Sequence, residues 1–125
     1  MYKRQEQLKT VNFRIRKKKE IFFRYKRRLK DNSKIKFFDI KKNETPWSTD
    51  IYLKDVKKLK KILEKKKILT RYVYPPLNTQ KIYKQFKGLP ISNFFCKRGL
   101  WLPSSLDLKN KDIDNICKII NRHIN

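Results

Sequence analysis

The sequence predicts an α+β fold in which helices pack on a small, largely antiparallel sheet. Three observations lead to this prediction. Apolar residues recur at helical spacing in basic stretches near the start, the middle and the end of the chain. Short segments rich in β-branched and aromatic residues lie between those stretches. The connection between the first two segments is short, and short connections join antiparallel strands.

The composition fits one domain and leaves two explanations of its charge open. The 125 residues carry 35 Lys and Arg against 11 Asp and Glu, a net charge of +24. Such a basic chain suits a phosphate-rich partner such as nucleic acid. The chain also has no alanine and far more Lys than Arg, a bias that an AT-rich genome gives to any fold. No apolar run approaches a membrane span and no signal peptide opens the chain, so we expect a cytoplasmic protein.

The first part of the chain is expected to be helical. The opening letters MYKRQ resemble translated sequencing-adapter DNA, so we expect residues 1–5 to be non-native or unstructured. Residues 6–30 then predict one helix. Its apolar stripe contains Leu8, Val11, Ile15, Phe22, Tyr25 and Leu29.

Two strands, a helix and a third strand are predicted next. Residues 34–40 and 47–53 are expected to form an antiparallel pair. Asp55 can cap a helix whose buried stripe holds Val56, Leu59, Ile62 and Leu63. Residues 68–74 predict the third strand, which the two following prolines must end.

The last third predicts a short helix, a short extended piece and a final helix. We expect the short helix over residues 91–98, with Gly99 as its left-handed exit, and an extended piece over residues 100–102. Asp112 opens the final helix, and the whole of residues 6–125 is expected to form a single domain. The buried stripe of that helix holds Ile113, Ile116, Cys117, Ile120 and Ile124.

Candidate binding residues concentrate between residues 70 and 105, where prolines, glycines and tyrosines cluster. Arg71 can donate two hydrogen bonds to a diphosphate or a carboxylate. Tyr74 and Tyr83 can offer hydroxyls and ring faces to a ligand. A surface salt bridge for Arg71 and a core position for Tyr74 remain alternatives. We expect Trp47 and Trp101 to be core residues, with a role as binding platforms for a ligand as the alternative. With one His and two isolated Cys we predict no metal site.

Short motifs follow one another in a distinctive order. They are Tyr25-x-x-x-Leu29, Pro46-Trp47, Ile68-x-Thr70-Arg71, Tyr74-Pro75-Pro76-Leu77, Leu89-Pro90, Gly99-Leu100-x-Leu102-Pro103-Ser104 and Asp112-Ile113-Asp114. In this order and spacing they cover nearly all of residues 6–125, and the chain resembles the C-terminal region of the DegT/DnrJ/EryC1/StrS aminotransferases. The nearest resemblance is to the perosamine-synthase-like members.

The resemblance implies a fold like the C-terminal small domain of a fold-type-I aminotransferase, with the helix over residues 6–30 linking to a missing large domain. It implies pyridoxal phosphate in the full-length parent, a homodimer and a nucleotide-linked keto-deoxy sugar as substrate. The Schiff-base lysine of the family lies upstream of the matching region, so we expect no catalytic residue in this chain and no activity of the chain alone.

The resemblance also implies a substrate-binding role for Arg71, Tyr74, Asn78 and Tyr83. Many family members have a histidine at the position of Asn78. An asparagine there can hydrogen-bond a sugar hydroxyl but cannot titrate near neutral pH. The alternative function, from charge alone, is a small basic nucleic-acid-binding protein.

Overall fold

A computed structural model describes residues 2–83 and 88–124. Within those ranges it contains five α-helices, three β-strands and two 3-10 turns. The helices are α1 Tyr2–Lys9, α2 Val11–Arg28, α3 Val56–Lys65, α4 Pro90–Cys96 and α5 Asn110–His123. The strands are β1 Thr49–Tyr52, β2 Arg71–Tyr72 and β3 Gly99–Leu102, and the turns are Leu77–Thr79 and Lys81–Tyr83. No helix in the described ranges has both the length and the apolar character needed to span a bilayer.

The three strands form one antiparallel sheet in the order β1-β3-β2. In its register Ile51 lies opposite Leu100, and Arg71 lies opposite Trp101. Helices α2, α3 and α5 pack together on the face that Ile51 and Leu100 present, so the predicted α+β class is confirmed. All five residues of the predicted final stripe are buried: Ile113, Ile116, Cys117, Ile120 and Ile124.

The predicted strand over residues 34–40 is wrong apart from one antiparallel bridge. Lys36 and Tyr52 exchange both backbone hydrogen bonds, each at 2.9 Å. Beyond the bridge, the Phe38 ring lies 4.7 Å from the Tyr52 ring and 4.8 Å from the Phe95 ring, between centroids. The aromatic residues that favour a strand by propensity therefore serve side-chain packing instead.

Gly99 is the first residue of β3 and its φ is not positive, so the predicted left-handed exit is wrong. A Cβ at Gly99 would lie 2.4 Å from Val73 Cγ2 and 2.9 Å from Val73 Cβ. Glycine is therefore required by close approach of two chain segments. Just beyond β2, the Val73 N–H donates to the Gly99 carbonyl at 3.2 Å. Strand β2 is shorter than the strand predicted over residues 68–74.

The helix predicted over residues 6–30 is divided at Thr10 into α1 and α2. No residue of α1 is buried, and Leu8 and Val11 of the predicted stripe are exposed. The stripe is buried only from the middle of α2 onward, at Phe22 and Tyr25. Residues 2–5 are helical in the structure, whereas their being non-native stays a prediction.

Helix α2 is fixed to α5 by two arginines that share one carboxylate. Arg24 donates to Asp114 through Nε at 2.9 Å and Nη2 at 2.7 Å, and Arg28 does so at 3.0 and 2.8 Å. These bidentate contacts, the Arg24 hydrogen bonds above all, lower the pKa of Asp114 to about 2. On the same helix, the buried Tyr25 hydroxyl donates to the Pro103 carbonyl at 3.0 Å, which ties α2 to the end of β3.

Candidate functional site

An open groove of about 590 Å³ lies where the start of β1 and the segments flanking β2 and β3 approach α2. This volume falls within the range of small-molecule sites. Two cations, four hydroxyl groups and two indoles line it, and no Asp or Glu of the described residues does so. The lining residues are Lys18, Trp47, Ser48, Leu69, Thr70, Arg71, Trp101, Leu102, Pro103, Ser104 and Ser105.

The sheet register places Arg71 beside Trp101. The two residues are directly opposite in the β2–β3 pair, and Asp50 is opposite Trp101 in the β1–β3 pair. Directly opposite residues of antiparallel strands project from the same face. Asp50, Trp101 and Arg71 therefore form one row across the sheet, on the face opposite the core. Burial raises the pKa of Asp50, and a hydrogen bond from the Ser48 hydroxyl opposes that shift.

Lys18 brings a cation from α2 into the groove. Its ammonium group donates to the Trp47 carbonyl at 3.0 Å and to the Ser104 carbonyl at 2.8 Å. Partial burial lowers the pKa of Lys18, because desolvation disfavours the charged form. No ion pair of Lys18 with a described residue is present within 4.0 Å. The ammonium thus joins the two loops that bound the groove, and neutral acceptors take two of its three protons.

The two tryptophans differ in burial. The Trp101 ring is half-buried and meets the Tyr74 ring edge-on, with 5.0 Å between centroids. Its Nε1 is buried and has no hydrogen-bond partner among the described residues, as is also true of Thr70 Oγ1. Trp47, in contrast, is 86% exposed, so the expectation that it is a core residue is wrong. A large exposed indole on a groove wall is a surface that a flat or apolar ligand face can cover.

The structure brings one of the four predicted binding residues into the groove and places the others beyond it. Arg71 is exposed and lines the groove. Tyr74 lies beyond the lining residues, and its ring contacts Trp101, which lines the groove. Asn78 lies in the 3-10 turn after the two prolines, with a buried Oδ1 that has no described partner. Tyr83 ends the second turn with a partly exposed ring, next to residues 84–87, which lie outside the described ranges.

A second groove of about 490 Å³ lies along α2 and is more basic, and two of its four cations are engaged. Arg24 is bound to Asp114, and Lys19 donates to the Lys42 carbonyl at 2.8 Å. Glu20 contributes a negative charge to its wall. The described residues contain no cluster of His, Cys, Asp and Glu suited to a metal ion. Of the two grooves, the first has no carboxylate among its described lining residues, which favours it as a site for an anion.

The sequence is similar to that of one known protein family. The model of the DegT/DnrJ/EryC1/StrS aminotransferase family matches residues 4–121. The chain belongs to this family. A solved DegT DnrJ EryC1 StrS aminotransferase from Brucella abortus superposes with a TM-score of 0.86 at 27% sequence identity, over 96% of this chain and 34% of the other. No curated protein matches the sequence in a direct search.

Two further solved structures support the fold. PseC of Helicobacter pylori, an aminotransferase involved in pseudoaminic acid biosynthesis, gives a TM-score of 0.85 at 23% identity, covering 96% of this chain and 35% of its own. DesV of S. venezuelae gives 0.86 at 16% identity, covering 94% and 34%. The chain thus spans about one third of the length of these structures.

Pyridoxal phosphate, which this aminotransferase family implies, does not fit the described residues. The cofactor is held by a lysine whose amine forms a Schiff base. Lys18 is the lysine that lines the groove, but its amine donates to the Trp47 and Ser104 carbonyls. No carboxylate of the described residues lines the groove to pair with a pyridinium nitrogen. Lys18 is therefore assigned a structural and binding role.

Sequence reasoning missed Lys18, and it placed Trp47 in the core in preference to a role as a sugar platform. A signal for Lys18 was available, because it stands three, four and seven residues before Ile21, Phe22 and Tyr25, on the stripe that becomes buried. A lysine on an apolar stripe needs acceptors for its ammonium group. For Trp47 the sequence offered no comparable signal, because a tryptophan entering a strand is most simply read as a core residue.

Proposed function

We propose that this chain forms the substrate-side wall of a pyridoxal-phosphate-dependent aminotransferase that transfers an amino group to a nucleotide-linked keto-deoxy sugar of the perosamine type. The observation that supports it most directly is the position of Arg71. In a chain of this family, an exposed guanidinium lines a groove that has no carboxylate on its described wall. Such a group is suited to the diphosphate of a nucleotide sugar.

The remaining predicted binding residues fit secondary roles in this proposal. Tyr74 extends the ring surface of Trp101 at the groove's edge. The Asn78 amide and the Tyr83 hydroxyl can each hydrogen-bond a sugar hydroxyl. None of these groups is proposed to transfer a proton.

In this proposal the chemistry resides in a large domain that this chain does not include. That domain supplies the Schiff-base lysine and holds the cofactor, and the parent enzyme acts as a homodimer in the cytoplasm. The chain alone is inactive. Exposed apolar side chains are consistent with a missing contact surface: Leu8, Val11, Phe13, Leu77, Ile82, Leu89 and Ile91. The comparisons do not favour the nucleic-acid alternative.

Two measurements test the proposal. The purified chain mixed with pyridoxal phosphate is expected to show no aldimine absorbance band that borohydride reduction removes. A chimera in which this chain replaces the matching third of the Brucella abortus enzyme is expected to bind the cofactor and aminate a nucleotide-linked keto sugar. In that chimera R71Q should raise KM for the sugar nucleotide about tenfold or more, because one charge-assisted contact is lost.

Two outcomes would contradict the proposal. One is a reducible band that peptide mapping places on a lysine of this chain. The other is a folded, cofactor-loaded chimera whose KM does not respond to R71Q. Lys58→Gln provides a matched control, since Lys58 is an exposed cation of α3 outside the groove.

A further inference from the structure

We propose that Lys18 and Arg71 together bind one diphosphate-sized oxyanion in the 590 Å³ groove, and that the exposed indole of Trp47 stacks on a ring attached to that oxyanion. The inference rests on the proposed function only in treating the groove as the substrate side of the enzyme. It assigns binding roles to two residues, Lys18 and Trp47, that the family resemblance did not nominate.

The contacts of Lys18 indicate an anion-binding position. An ammonium group has three protons, and the carbonyls of Trp47 and Ser104 accept two of them. Both acceptors are neutral, so the positive charge is partly desolvated without a counter-ion among the described residues. A partly buried charge in this state is stabilised when an anion takes its remaining proton. The lowered pKa of Lys18 is consistent with this arrangement.

Arg71 provides the second cation on the same groove. Its guanidinium is exposed and has no hydrogen-bond or ion-pair partner among the described residues. Its backbone is fixed opposite Trp101 in the sheet, which limits where the side chain can reach. Lys18 and Arg71 have no ion-pair partner among the described residues, and no described carboxylate lines the groove. Such a wall favours an anion over a neutral sugar. Both cations line the same groove, so we assign them to a single oxyanion.

Trp47, the proposed ring-stacking residue, is in direct contact with Lys18. The carbonyl that Lys18 binds is Trp47's own, so the ammonium group fixes the backbone from which the indole projects. The indole is 86% exposed and lines the groove. Stacking of a base on an aromatic side chain is favourable and tolerates any base, because every base has a π-face. An anion held at Lys18 therefore places an attached ring within reach of the indole.

The chain's two tryptophans make the proposal measurable by fluorescence. A W101F chain retains Trp47 as its single reporter. It is titrated at about 0.15 M salt, to screen surface charge, with four probes: uridine diphosphate, inorganic pyrophosphate, uridine and glutamate. We expect uridine diphosphate to quench Trp47 with one-site stoichiometry and to bind about tenfold more tightly than pyrophosphate. Uridine and glutamate are expected to bind at least tenfold more weakly than uridine diphosphate.

Matched variants separate the site from net charge. K18M and R71Q should each weaken uridine diphosphate binding about tenfold, whereas K19M should change it less than twofold. K18M and K19M remove the same charge from the same helix, but Lys19 binds the Lys42 carbonyl away from the groove. Because K18M also removes two structural contacts, its thermal unfolding is measured alongside. R71Q, which removes no described contact, is the second test if K18M is unfolded.

Several results would overturn the inference. Equal weakening by K18M and K19M would show binding by net charge alone. Binding without quenching of Trp47, or equal affinity for pyrophosphate and uridine diphosphate, would reject the stacking role. Tighter binding of glutamate would assign the oxyanion to a carboxylate source and reject the diphosphate. None of these titrations needs cofactor or turnover, so an inactive chimera with intact nucleotide binding would refute the proposed function and leave this inference standing.

Discussion

Replacing Gly99 by alanine tests whether close packing, and not backbone conformation, requires glycine at the start of β3. The added methyl would lie 2.4 Å from Val73 Cγ2, more than 1 Å inside the separation of about 3.5–4.0 Å at which carbon atoms meet. Rotating the Val73 side chain can move Cγ2, but Cβ at 2.9 Å is fixed to the backbone. The strands must therefore separate locally, which lengthens the 3.2 Å hydrogen bond from Val73 N–H to the Gly99 carbonyl.

The magnitude follows from two opposing effects. Overpacking costs about 1–3 kcal/mol of unfolding free energy, and the reduced entropy of the unfolded chain returns about 0.4–1 kcal/mol. We expect G99A to lose about 1–2 kcal/mol, seen as a lower urea midpoint at unchanged slope. V73A alone should lose about 1 kcal/mol as a partly buried valine is shortened. The double variant G99A/V73A should lose about 1 kcal/mol less than the sum, since the clash is partly removed.

Strict additivity of the two changes would refute the reasoning, because it would mean that the new methyl does not meet Val73. A G99A chain as stable as the parent would do the same. G99N tests the rejected alternative that residue 99 has a left-handed backbone conformation, since asparagine is tolerated in that conformation. In the observed extended strand, asparagine must be worse than alanine because it is larger.

Three further predictions concern the core and its ion pair. Y25F should lower the unfolding free energy by about 1–2 kcal/mol in urea titration, since the Pro103 carbonyl loses its buried donor. L59A, at a fully buried side chain, should cost about 2–5 kcal/mol, and an equal loss in L8A, at an exposed leucine, would contradict the assigned core. Asp114 has a pKa of about 2 when folded and about 3.9 when unfolded, so its contribution is complete above about pH 4 and is lost as pH falls through 2. D114N should lower Tm at pH 6 and flatten the fall of Tm between pH 4 and 2; an unchanged slope would count against the pairing.

The sequence predicted the helices better than the strands, for a physical reason. The apolar residues of α5 recur at a single clear period, and helix hydrogen bonds are local, so the segment from Ile113 to Ile124 could be assigned without knowing its neighbours. Strand pairing depends on distant partners. Phe38 has a strand former's side chain, yet its ring packs on Tyr52 and Phe95 and its backbone is unpaired beyond one bridge.

The groove was predicted only in part for the same reason. Arg71 could be nominated from the family resemblance, with which the chemistry of its guanidinium agrees. Lys18 could be singled out from its place on the apolar stripe of α2, but its partners could not be predicted, because they are two carbonyls of distant loops, at Trp47 and Ser104. Exposure of Trp47 is likewise a property of the assembled surface, and no local pattern distinguishes it from the half-buried Trp101.

The strand order has a consequence for how the chain acquires its site during synthesis. β3 is central in space but last in sequence, and within the described residues β1 and β2 are each bonded to β3 and not to each other. A chain emerging from the ribosome N-terminus first cannot pair either edge strand until Gly99–Leu102 is available. Arg71 acquires its fixed position opposite Trp101 only then. The groove is therefore assembled only after Gly99–Leu102 has been synthesised, and a product ending before Gly99 would lack the sheet and α5.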